Sequence, residues 1–239
     1  MIPLRDDNPT RTTPFLTVGL LAANALVFVY QLSLPPRAAK LFVYQFGMIP
    51  AVVFGTDQLP ASVAAIPPTL TLFTSMFLHG GFMHLAGNML YLWIFGNNIE
   101  DAMGHARFLV FYLVCGLLAS LSHAFSNLGS EIPSLGASGA ISGVLGAYLL
   151  LYPRAQVLVL IPLWIFMRLM YVPAAFALGI WFLLQLLSGG LSGSQGGGVA
   201  WWAHIGGFVA GMALVGLFKR RSVRFFNPPH YRSSRIEEW

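Results

Sequence analysis

Long apolar runs separated by short polar breaks dominate the chain, and the runs are of bilayer length. A helix needs roughly 20 apolar residues to cross about 30 Å of hydrocarbon. Six segments approach that: about Pro14 to Leu34, Phe82 to Phe95, Phe108 to Ser126, Ser138 to Tyr152, Pro173 to Leu187 and Trp201 to Phe218. A further apolar stretch, Val157 to Met170, contains Pro162 and Arg168 and is expected to lie partly in the interface rather than to cross. In the first loop, Leu41 to Phe46 and Ala51 to Phe54 read as short amphipathic pieces at the outer interface.

Composition agrees with this pattern. The chain is 56% hydrophobic and only 9% charged, against roughly 25% charged residues in soluble domains. Its 239 residues suit one membrane domain. The predicted organisation is a cytoplasmic tail over 1–13, a six-span domain over 14–218 and a basic cytoplasmic tail over 219–239. The formal net charge of +5 sits at segment ends, not in a stripe with interleaved aromatics, so no nucleic-acid partner is expected. With the N-terminus inside, only Arg37 and Lys40 of the 13 basic residues fall outside. Positive charge concentrates on the cytoplasmic side of membrane proteins, which puts both termini there and requires an even number of spans. The polar start carries no signal-peptide or transit-peptide pattern, so a bacterial cytoplasmic membrane is the expected location. The lone Cys115 lies in an apolar run and reads as packing, and the Gly/Ser-rich Ser188 to Gly198 reads as an exposed loop.

Four polar residues break the pattern where breaking it is expensive. Ser138 opens the fourth span within Gly136-Ala137-Ser138-Gly139. His84 and Asn88 stand four apart in the second span, hence on one helix face, and His204 lies near the start of the sixth. Spans two, four and six run in the same direction, so all three sites fall near the outer ends of their helices. Polar groups inside a membrane are costly, and several at one depth point to a functional site. Span four, at about 22 Å, is shorter than the hydrocarbon core, which would sink Ser138 beneath the outer surface into a water-filled pocket.

The chemistry follows from the residue types. A serine hydroxyl is a weak nucleophile until a base takes its proton. All eight carboxylates lie outside the spans, which leaves histidine. Ala203, Gly207 and Gly211 make a small-residue stripe beside His204, and span four carries Gly139, Gly143 and Gly146. Such stripes let helices approach closely, which would bring His204 to Ser138. His84, Asn88 and the Ser138 amide could donate to an oxyanion. His79 is expected to cap the entry to span two or to meet headgroups, and His123 to be a packing or interface residue. No His-Glu-x-x-His pattern or embedded acidic ligand supports a metal, and no cofactor is expected.

These residues carry a resemblance. His84-x-x-x-Asn88, Gly136-Ala137-Ser138-Gly139, Ala203-His204-x-x-Gly207-x-x-x-Gly211 and Glu100-x-x-x-Gly104-x-x-Arg107-Phe108 together are similar to the rhomboid intramembrane serine proteases. The resemblance implies an all-α, six-helix rhomboid-like bundle in the lipid bilayer with a Ser138–His204 dyad and no aspartate. It also implies an oxyanion pocket of His84, Asn88 and the Ser138 amide, and single-span membrane proteins as substrates. The alternative is a catalytically silent relative that binds membrane clients. One position departs from a common family pattern: an aromatic residue that stacks on the histidine often follows the nucleophile by four, and here it is Ser142. The orientation of His204 is thereby left to other neighbours.

Overall fold

A computed structural model describes residues 1–163, 166–191 and 199–227. Helix α1 (Phe15–Ser33) leads into α2 (Pro36–Phe46), α3 (Pro50–Val53) and α4 (Thr71–Thr74), which form the first loop. Helix α5 (Phe82–Tyr91) runs through a π-turn, Leu92–Gly96, into α6 (Asn97–Met103) without a break. Then come α7 (His105–Ser126), α8 (Ser138–Leu151), α9 (Ala174–Leu191) and α10 (Trp201–Phe218). Among the described residues, α1, α7, α9 and α10 are long and apolar enough to cross a membrane, and α8 is a shorter apolar helix.

The molecule is apolar outside as well as inside. Leu26, Leu32 and Leu217 are 70%, 69% and 78% exposed, while Thr17, Asn24 and Glu100 are fully buried. So continuous an apolar surface is one that lipid solvates. At the centre, α8 packs against α10 and α7 through glycine. A Cβ on Gly207 would lie 2.1 Å from the Gly139 carbonyl oxygen, and one on Gly211 would lie 2.0 Å from that of Gly143. A Cβ on Gly143 would in turn meet Cys115 Cβ at 2.4 Å. The backbones touch because nothing larger than hydrogen stands between them, as the small-residue stripes lead one to expect.

Two expectations are corrected. The protein is mostly helical but not all-α, because the described part of Val157 to Met170 is extended rather than helical. It forms most of a hairpin, β2 (Gln156–Leu163) and β3 (Phe166–Pro173), paired antiparallel from Gln156↔Pro173 to Leu163↔Phe166. Nor is 1–13 simply a tail. Strand β1 (Ile2–Asp6) adds to the free edge of β2, with Ile2 opposite Leu160 and Asp6 opposite Val157. The sheet order is β1-β2-β3. The physical reason is visible in the alternation: Val157 and Val159 turn inward and are wholly buried, while Leu158 and Leu160 are only partly so. Pro162, which has no N–H, falls beyond the reach of β1, where no second partner is needed.

The sheet is tied to the helices by Asp6. Its Oδ2 accepts from the Tyr148 hydroxyl on α8 and, at 2.9 Å, from Asn98 Nδ2 on α6. At the neighbouring turn the buried Glu100 accepts the Leu16 amide at 2.9 Å and both the amide and hydroxyl of Thr17 at 2.7 Å, and pairs with His105. A carboxylate there satisfies the orphan N–H groups of the first turn of α1. The described part of the predicted C-terminal tail folds back on the bundle: the Arg220 amide donates to Ala102 O, and those of Phe226 and Asn227 to Leu150 O and Leu151 O. Of the predicted Ser188 to Gly198 loop, Ser188 to Leu191 complete α9, and 192–198 lie outside the described residues.

Candidate active site

Ser138 is the first residue of α8, at a helix start where its amide has no intrahelical acceptor. The turn before it is held by Gly136, whose φ of +123° is open to glycine and strained for other residues. The Gly136 amide donates to Ser75 O at 2.9 Å, which pins that turn to the first loop. Across the interface, His204 lies in the first turn of α10, and its Nε2 is 2.8 Å from Ser138 Oγ. The glycine contacts below set this distance, since they fix both the separation and the register of α8 and α10.

His84 and Asn88 project from α5 into the same space. Ser138, His204, His84 and Asn88 line one cavity of about 800 Å³, with Tyr91 and Trp181 among its walls. The Gly80 amide donates to His84 Nδ1 at 3.4 Å, which leaves the proton on Nε2. That edge of the ring lies against Gly136: a Cβ there would be 2.8 Å from both Cε1 and Nε2 of His84. Asn88 Nδ2 is buried and has no hydrogen-bond partner among the described residues. Two side-chain donors and a helix-start amide therefore converge beside a hydroxyl that is hydrogen-bonded to an imidazole. Such a set can hold a proton acceptor, a nucleophile and a developing negative charge at once.

The other histidines lie elsewhere. The expectation for His79 is corrected: it is buried rather than directed at headgroups, and among the described residues no side chain caps α5. Its backbone exchanges hydrogen bonds with the Gln31 side chain, and its ring packs edge-on against those of Phe28 and His84. His123 lies within α7, with its Nδ1 buried and unpartnered among the described residues.

One residue escaped the sequence reading. Gln185, buried in α9, places its Oε1 2.7 Å from His204 Nδ1. Its only signal was polarity, as an amide in an otherwise apolar span. Ser142, where a stacking ring was missing, turns its hydroxyl back to donate to Ser138 O at 2.6 Å. Rings reach His204 from other directions: Trp181 on α9 at 5.9 Å between centroids, and Trp201 edge-on at 6.4 Å.

Comparison with known proteins agrees with the motifs. Residues 68–221 match the family model for the Rhomboid domain. The chain is 34% identical over 137 residues to "Rhomboid protein 1, mitochondrial" of Saccharomyces cerevisiae, covering 51% of this chain and 40% of that protein. It is 43% identical over 98 residues to "Rhomboid protease GluP" of Bacillus subtilis, covering 41% and 18%. To the human "Presenilin-associated rhomboid-like protein, mitochondrial" it is 31% identical over 151 residues, covering 62% and 36%. The matched region thus spans 40% or less of the length of these relatives. Lipid-facing helices, the Gly136 to Gly139 turn and the matched domain lead to one conclusion: this multi-pass membrane protein belongs to the rhomboid family.

Proposed function

We propose that the protein is an intramembrane serine endopeptidase that hydrolyses peptide bonds in or near the transmembrane segments of single-span membrane proteins. The observation that carries the reading is the 2.8 Å contact between Ser138 Oγ and His204 Nε2, inside a cavity shared with His84 and Asn88. Ser138 Oγ attacks the scissile carbonyl carbon while its proton passes to His204 Nε2. The carbonyl oxygen becomes an oxyanion and accepts from Asn88 Nδ2, His84 Nε2–H and the Ser138 amide. One such donor is worth about 3 kcal/mol in the transition state. His204 then gives its proton to the leaving amine, and the C–N bond breaks to leave an acyl-enzyme. Water, deprotonated by the same nitrogen, attacks the ester and frees Ser138.

Six spans accompany this reading: α1, the helical run beginning at Phe82, α7, α8, α9 and α10. The positive charge at their predicted inner ends supports cytoplasmic termini. The name of the Bacillus subtilis relative, a protease, is consistent with the chemistry. The test is incubation of the protein in liposomes with a single-span substrate, comparing wild type with Ser138→Ala and His204→Ala. Cleavage by wild type alone is expected. Cleavage that survives both substitutions would overturn the dyad. No cleavage by any of the three, with clients still retained, would favour the silent relative.

A further inference from the structure

We propose that Gln185 is a positioning residue for the base: its amide oxygen accepts the Nδ1 proton of His204 and so leaves Nε2 free to take the proton of Ser138. The proposal rests on the serine-protease reading for its catalytic consequence, but not for the hydrogen bond itself.

The geometry is a line of three groups from three helices. Gln185 Oε1 on α9 stands 2.7 Å from His204 Nδ1 on α10, whose Nε2 stands 2.8 Å from Ser138 Oγ on α8. A neutral imidazole carries one proton on two nitrogens, so the partner of one nitrogen decides what the other can do. An acceptor at Nδ1 makes Nε2 the lone-pair nitrogen, and only that tautomer can receive a proton from serine. Rotation of the ring about its Cβ–Cγ bond is blocked by the same contact, because it would strand the buried amide. Gln185 is itself 7% exposed, and a buried amide with a well-placed partner rarely turns away from it.

The register of α9 is built to deliver this contact. Trp181, Gln185 and Gly189 recur every four residues and therefore share one helix face. Trp181 lies beside the His204 ring, and a Cβ on Gly189 would lie 3.3 Å from both Ile205 Cδ1 and Trp201 Cβ. Phe182 stacks on Phe208 at 4.4 Å and 17°. The small residue lets the helices close, the rings fix rotation, and the amide between them meets the histidine. Ser142, one turn after Ser138 on α8, directs its hydroxyl to the Ser138 carbonyl rather than to His204.

A glutamine differs from a carboxylate in one consequence. It accepts the Nδ1 proton without adding negative charge, so the imidazolium formed during attack gains less than it would from an acid. The titratable groups that face His204 are His84 from α5 and His123 from α7; α8 contributes Ser138, and α9 the neutral Gln185. A glutamate at 185 would therefore be the single anion facing the ring among the described residues.

The experiment compares wild type, Gln185→Leu, Gln185→Glu and Ser138→Ala in liposomes, with a single-span peptide substrate over a pH series. Gln185→Leu is expected to lower kcat by about 10- to 100-fold with KM within about twofold. Gln185→Glu, which keeps the acceptor, is expected to restore most of that loss. It should also move the acid limb of the kcat/KM profile to higher pH by about one unit or more. A purely structural role would leave that limb where it is. Wild-type kcat and profile in Gln185→Leu, or an unmoved limb in Gln185→Glu, would overturn the assignment. A second readout needs no turnover. In protein labelled with ¹⁵N-histidine, with the His204 signal identified by its loss in His204→Asn, Nδ1 is expected to carry the proton in wild type. Protonated Nε2 would overturn the proposal, since the amide would then be donating. Absence of Ser138-dependent cleavage in wild type would defeat the protease reading instead, and the tautomer would still decide the role of Gln185.

Discussion

Gly136 and His84 meet where a side chain on the first would occupy the ring of the second: a Cβ at Gly136 would sit 2.8 Å from His84 Nε2 and Cε1. The nucleophile turn and the donor helix are therefore fitted to each other by one missing methyl group. Gly136→Ala would meet both this contact and a φ of +123°. It is expected to push His84 from the cavity and cost at least about 100-fold in kcat, the range for loss of one oxyanion donor. Steady-state cleavage beside a thermal unfolding curve in detergent checks this. A full-rate Gly136→Ala enzyme would remove His84 from the pocket.

Close packing of α8 on α10 makes a sharper contrast between glycines. Gly211→Ala would place a Cβ 2.0 Å from the Gly143 carbonyl oxygen, a backbone atom that cannot step aside. Overpacking of this kind typically costs about 1–3 kcal/mol. A Cβ on Gly179 of α9 would meet none of the described residues beyond its own helix within 4 Å, so Gly179→Ala should be neutral or gain up to about 1 kcal/mol in helix propensity. Unfolding midpoints of the two variants, measured side by side, should move in opposite directions or differ clearly in size.

Glu100 closes the base of the bundle by accepting from Leu16, Thr17 and the Thr17 hydroxyl while 0% exposed. Glu100→Ala leaves those donors without an acceptor and is expected to destabilise by about 3 kcal/mol or more. Glu100→Gln, which retains an oxygen, should lose less. Equal stability of Glu100→Ala and wild type in a chemical unfolding titration would contradict the capping role.

The docking of strand β1 should depend on pH through Asp6. Burial pushes its carboxyl up from 3.8 to about 6, and the hydrogen bond from Tyr148 pulls the other way without cancelling the rise. The folded state then holds the proton more tightly than the unfolded one. The stabilisation is complete below pH 3.8 and is lost as pH rises through about 6. Amide hydrogen exchange over Ile2–Asp6, after correction for intrinsic rates, should show stronger protection at pH 5 than at pH 8. In Asp6→Asn that difference should vanish. A strand equally protected at both pH values in wild type would refute the linkage.

What could be read directly was whatever lipid imposes along the chain. Hydrocarbon demands long apolar runs, so the helices show in hydropathy, and it penalises polar groups, so Ser138, His204, His84 and Asn88 stand out against their surroundings. Glycine every fourth residue in Gly139, Gly143, Gly207 and Gly211 announces a close approach, and the backbone contacts follow it. The sheet was hidden because Gln156 to Pro173 is as apolar as an interfacial segment, and its outer partner, Ile2–Asp6, begins more than a hundred residues earlier. Alternation of inward and outward side chains becomes legible only once both edges have partners.

Gln185 marks the other boundary. One amide in an apolar helix carries no period and no motif, and Ser142 said only that something else must hold His204. Which residue does so depends on how α9 is rotated and how closely it approaches α10. Gly189, Trp181 and Phe182 set both through contacts with residues of that helix. Local composition determines which segments enter lipid and which polar atoms they carry with them. Only packing between helices determines which of those atoms meet, because a hydrogen bond at 2.7 Å requires a rotation and a translation that no single helix encodes.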